Sequence, residues 1–220
     1  MTSQSLWEVR QQSVLALSGE LKPFESLIGE ALDLIDHCAL RLESLEGPSG
    51  LVCALVLAKA RNLAVGCYSL SLDALGQEGG ALFRPLIECL EMLTYFKLEP
   101  QRITEALEDR LPPAGIIAQR IEGDFKRLRE YLNSHASHLS VTPEAMQHLI
   151  DAKGGRLRLV QAHSTPVLRQ NLGTLLVALT WLAIEALNCV SVLGGTVDDA
   201  VATRAEDIKA RGLQLLERTS

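Results

Sequence analysis

Apolar residues recur along most of the chain at intervals of three and four, the spacing that lines one face of a helix. Residues 5–18 make a short amphipathic stretch, broken by Gly19 and by Lys22-Pro23. Residues 24–45 place Leu27, Ala31, Leu34, Ile35, Cys38 and Leu42 on one face. The run Gly47-Pro48-Ser49-Gly50 ends that helix, since glycine and proline continue one only at a cost. Further helices are predicted over residues 51–75 and 81–98, with Gly76-Gln77-Glu78-Gly79-Gly80 as the turn between them. A short helix over 101–110 and a polar one from 114 to about 138 follow. Thr142-Pro143 and Ser164-Thr165-Pro166 each pair a hydroxyl cap with a proline whose missing N–H is not needed there. The second pair opens the longest helix, to about Leu193, and Asp198 begins the last, to about Glu217. Residues 154–160 alternate and read as extended, but are too short to seed a sheet. The pattern predicts an all-α, single-domain helical bundle of about seven or eight helices over residues 1–220. Helices 51–75, 81–98 and 166–193 lie at its centre.

Composition narrows the function classes. The 220 residues are 47% hydrophobic and 22% charged, far from the profile of a disordered chain. Lys and Arg total 21 against 27 Asp and Glu, a net charge of −6, which argues against a chain built to coat DNA or anionic lipid. Aromatics are 4%, too few for a base-stacking platform. The five cysteines are scattered, without a CxxC, and read as reduced core residues of a cytoplasmic protein. The first ten residues, MTSQSLWEVR, lack the basic and apolar regions of a secretion signal. Residues 172–193 approach the length of a membrane span, but Glu185 and Asn188 in their second half favour a helix buried in a bundle, and no membrane is expected.

The chain contains no phosphate-binding GxxxxGK[ST], no GxGxxG, no GxSxG and no HExxH. No cofactor and no metal are expected, because His135-x2-His138 with His148 or His163 does not place a third ligand by spacing. Arg84, Glu88 and Glu91 share one helix face at i, i+4 and i+7. Glu185, in the most apolar helix, must pair or take up a proton. Arg84 is the expected partner, since guanidinium holds a carboxylate with two prongs, and Glu88 or Asn188 would complete the network. If that network lines a pocket, Arg84, Glu88, Glu185 and Asn188 form a binding site for a small ligand. Lys59, Asn62, Gly66, Ser69 and Asp73 make a polar, small-residue stripe, read as helix packing with a solvated edge.

Residues 57–95 resemble an uncharacterised bacterial all-helical family with the pattern G-x4-A-x2-R-x3-E, here Gly76, Ala81, Arg84 and Glu88. Residues 129–140, REYLNSHASHLS, resemble a stretch of the same family, and distantly the Arg-x4–6-His signature of the HEPN superfamily of helical RNases and nucleotide-binding bundles. Glu130 stands where the stronger form of that signature has Asn, Asp or His. The HEPN resemblance implies a metal-independent endoribonuclease acting on RNA, with Arg129 steadying phosphate charge, His135 as general acid or base and His138 assisting. The residues themselves favour a plainer reading: a non-enzymatic interaction or regulatory protein that forms a homodimer, with His135 and His138 solvated at a helix end.

Overall fold

The computed structural model describes residues 5–121, 125–135, 149–151, 156–157 and 161–218. The protein is an all-α bundle. Helices α1 (Leu6–Ser18), α2 (Lys22–Glu43), α3 (Pro48–Leu72) and α4 (Gly76–Leu98) follow one another through short turns. A 3-10 turn (Pro100–Arg102) leads into α5 (Ile103–Leu107), then α6 (Ala114–Arg120) and α7 (Lys126–His135). Ile150–Asp151 and Arg156–Leu157 pair as a two-residue antiparallel ladder, and α8 (Thr165–Val192) and α9 (Asp199–Glu217) complete the chain.

Local chemistry sets these boundaries. Ser5 and Glu8 form a reciprocal capping box at the start of α1: the Glu8 amide donates to Ser5 Oγ at 3.3 Å and the Ser5 amide to Glu8 Oε2 at 2.6 Å. Prolines sit in the first turns of α2, α3 and α8, where no intrahelical donor is lost. Pro48 therefore opens α3 and does not merely end α2. The glycines at 76–80, expected to form a turn, are the first turns of α4. Gly79 is buried against α3, and its carbonyl accepts the Cys67 thiol at 3.4 Å, so tertiary packing outweighs the helix cost of glycine. Pro85 lies inside α4, and the Ala81 carbonyl that it deprives of a donor is on an exposed residue. The predicted helix over 114–138 is two helices among the described residues, α6 ending at Arg120 and α7 beginning at Lys126. The helix start at Thr142-Pro143 lies outside the described residues.

Helices α2, α3, α4 and α8 close a ring: α3 packs on α2 and α4, α8 packs on the same two, and α3 and α8 meet across the centre. Leu34, Ile35, Leu57, Ile87, Leu93 and Leu179 fill that centre and are wholly buried or nearly so, each contributing about 1.5–3 kcal/mol relative to exposure. Around the ring, α9 covers the α2–α8 seam, α6 and α7 lie on α4, and α1 lies across the ends of α2, α3 and α8. By length and composition α3 and α8 could each cross a bilayer, yet here each turns one face into the bundle.

Candidate functional site

The outer side of α4 carries a polar stripe at Arg84, Glu88, Glu91 and Tyr95, spaced four, three and four. Arg84 Nε lies 3.2 Å from Glu88 Oε1 within the helix. Glu91 is only 2% exposed and pairs with Arg129 of α7, whose Nη1 donates to Oε2 at 3.0 Å. Its other oxygen, Oε1, is buried without a donor. Burial pushes the Glu91 carboxyl above its usual range; Arg129 pulls it back in part, and Glu88, one turn away, adds to the rise.

One turn on, the fully buried Tyr95 ties α5 and α6 to α4. Its hydroxyl donates to Glu105 Oε2 at 2.9 Å and accepts from Arg120 Nη1 at 2.8 Å. The Arg102 guanidinium lies 4.3 Å from the centre of the Tyr95 ring and also pairs with Glu99. The 3-10 turn, α6 and α7 are thus each fastened to one face of α4 by an arginine, and α5 by Glu105. Glu91 was visible on this face in the sequence; Tyr95, Glu105 and Arg120 were not, because their partners come from short, weakly periodic segments.

The expected Arg84–Glu185 contact does not form. Glu185 is buried in α8, and both its oxygens face Lys97 of α4, at 2.8 and 2.7 Å from Nζ. Lys97 lies at the end of α4 and reaches the acid along its flexible stem, whereas Arg84 is engaged by Glu88 near the other end. Asn188 is half-buried one turn beyond Glu185 and takes no part in the pair. Arg84 and Glu88 therefore form one ion pair, Glu185 forms another with Lys97, and Asn188 joins neither, so the four do not meet as one network.

Arg129 is drawn inward, with its side chain 14% exposed. His135 is the last residue of α7, and His138 and His148 lie outside the described residues. His163 bridges two hydroxyls, Nδ1 to Ser13 Oγ and Nε2 to Thr165 Oγ1, each at 3.0 Å, and so ties α1 to the start of α8. The stripe on α3 serves packing as expected. Arg10 of α1 donates to Ser69 Oγ at 3.0 Å and to both Asp73 oxygens at 2.6 Å, and a side chain at Gly66 would meet Leu82 Cδ1 at 2.7 Å. All five cysteines carry free thiols, and burial pushes Cys38 and Cys67 up to about 12.

The outward face of α8 is of another kind. Val167, Gln170, Thr174, Val177 and Trp181 are exposed along it, and Ile184 is half-buried. From Gln170 to Val192 the helix carries one charge, Glu185, and that side chain faces Lys97. A cleft of about 440 Å³ opens beside this face between α8 and α9. Pro166, Arg169, Gln170, Gly173, Thr174 and Val177 line it on one side and Leu216 on the other, and Arg169 is paired with Glu20.

No family model, no curated protein and no solved structure matches the chain.

Proposed function

We propose that the chain is a cytoplasmic, non-enzymatic interaction or regulatory protein that works through a helix face rather than a reaction centre. The observation that carries this reading is the outward face of α8, exposed at Val167, Val177 and Trp181 and free of charge for six turns. A surface of that kind is costly to leave in water and gains when covered. Arg129 supports the reading from the other side. A phosphate-binding arginine needs its guanidinium open to the ligand, and here Glu91 occupies it beneath α7.

The competing reading is the metal-independent endoribonuclease in which Arg129, His135 and His138 act on RNA. The two are separated by incubating the purified full chain with fluorescent RNA in a metal chelator, and by comparing growth on overexpression of the wild type and His135→Ala. Intact RNA and equal growth are expected. Cleavage abolished by His135→Ala overturns the interaction reading.

A further inference from the structure

We propose that the outward face of α8 is covered by a second copy of this chain. The two α8 helices run antiparallel about a two-fold axis level with Val177, and Trp181 of each copy enters the α8–α9 cleft of the other. The proposal rests on the interaction reading and names its partner.

The face carries a knob and a hole at matched spacing. Trp181 is the largest exposed side chain of α8, 43% open to solvent in mid-helix. The cleft runs along α8 from Pro166 to Val177, beginning one turn before Trp181, and includes Gly173 and Thr174 two turns before it. Gly173 shapes it: a side chain there would come within 3.0 Å of Leu216 Cδ2. Its hydrogen lets α9 close on α8 while the mouth stays open at Thr174. In a two-fold interface, if residue i touches residue j of the partner, then j touches i. An axis at the level of Val177 puts residue 181 of one copy level with 173 of the other, and 184 level with 170. Both clefts are then filled by one operation, and Val177, 37% exposed, meets its own mate.

Area and charge agree with this occupant. A helix of 28 residues is about 42 Å long at about 1.5 Å per residue. A strip about 12 Å wide, the width of a helix with its side chains, covers about 500 Å² per copy and about 1,000 Å² in total, the size that a specific interface has to clear. Leu213 of α9, exposed one turn before Leu216, widens the strip. The antiparallel arrangement sets the positive N-terminal end of each helix beside the negative C-terminal end of the other, and no ionised side chain on the stripe clashes with its symmetry mate. Lipid fits less well. The adjoining α9 presents Glu206 and Lys209 to solvent on the same helix face as Leu213 and Leu216, charges that a bilayer lying on α8 would have to desolvate.

The test is the mass of the full chain by light scattering across micromolar concentrations, with three variants. The wild type is expected at twice 24.0 kDa. Trp181→Glu is expected to weaken the dimer at least about 100-fold with helicity unchanged. Leu15→Glu, an exposed apolar position on α1, leaves the mass alone. Val177→Cys is expected to cross-link to itself when diamide oxidises the paired thiols, beyond any background from the native cysteines. A wild type that stays at 24.0 kDa overturns the proposal, as does a dimer indifferent to Trp181→Glu that gives no Val177→Cys cross-link. Flotation with neutral phosphatidylcholine vesicles, lost in Trp181→Glu, would identify lipid as the cover and also overturn it. RNA cleavage, by contrast, removes the interaction reading and leaves the α8 contact standing, so the two failures are told apart.

Discussion

Two sets of ion pairs tie the helices of the bundle to one another, and they stand in opposite relation to water. On α4, Glu91 meets Arg129 and Lys97 meets Glu185, with the two carboxylates 2% and 7% exposed. Along the α2–α9 edge, Arg211 bridges Glu30 and Asp207, and Arg204 lies 3.5 Å from Asp33, all with side chains about a third or more exposed. Drawn as contacts, the two sets look alike. Energetically they differ, because a buried charge that loses its partner keeps its full desolvation cost, whereas an exposed one is taken over by water. The inner pairs therefore position helices and punish disruption, while the outer pairs chiefly keep a surface soluble.

The largest effect expected from this difference is at Arg129. Arg129→Ala strands Glu91 in a site that already lacks a donor for Oε1, and should cost about 3–5 kcal/mol in urea unfolding. Glu91→Gln keeps an acceptor for Arg129 and should cost less. It also exposes the pH dependence. The folded Glu91 carboxyl takes up its proton at higher pH than the unfolded one, chiefly because it is buried. Its contribution is then fully present in acid and declines as pH rises from the usual carboxylate range through the raised folded value. Relative to Glu91→Gln, the wild type should lose stability as pH rises from the usual carboxylate range, about pH 4, through the raised folded value. A constant difference in urea midpoint across that range would show that Glu91 is not shielded from water.

A middle-sized effect is expected at the second inner pair. Lys97→Ala leaves the Glu185 carboxylate buried and without its cation, and should cost about 2–3 kcal/mol. The double change Lys97→Met with Glu185→Leu should recover that loss or exceed wild-type stability, since apolar replacements of similar volume avoid desolvation altogether. If the double variant were as unstable as Lys97→Ala, the pair would be stabilising in its own right and the contrast with the outer edge would weaken.

The same contrast explains what the sequence could disclose. Periodicity located the long helices α2, α3, α4 and α8 because each buries a continuous apolar face, and it identified Glu185 as an acid needing a partner. It chose the wrong partner. Charge and spacing are degenerate: Arg84 and Lys97 both lie on α4, and only the packing of α4 on α8 decides which reaches Glu185. The glycine-rich start of α4 was missed for the related reason that tertiary contacts overrode local propensity. Arg129 drew notice for its spacing to His135, while its actual contact, Glu91, lies 38 residues away in sequence. The apolarity of α8 was plain, but it implied only burial. That one face remains open, with a cleft beside it, follows from where α4 and α9 stop covering it.

The smallest effect belongs to the outer edge, and its smallness is the informative part. Arg204 Nη2 also donates to the Glu30 carbonyl at 3.3 Å, so the arginine joins α9 to α2 by two contacts. Both are long, the Asp33 side chain is 74% exposed, and holding the arginine in place costs rotamer freedom. Arg204→Ala should therefore change stability by less than about 0.5 kcal/mol, and about 0.5 M salt should remove most of even that difference through screening. The same salt should leave the cost of Arg129→Ala nearly intact, because Glu91 is hidden from mobile ions. Equal salt sensitivity at the two positions would mean that the inner and outer pairs sit in one dielectric environment, and that α7 does not seal the face of α4.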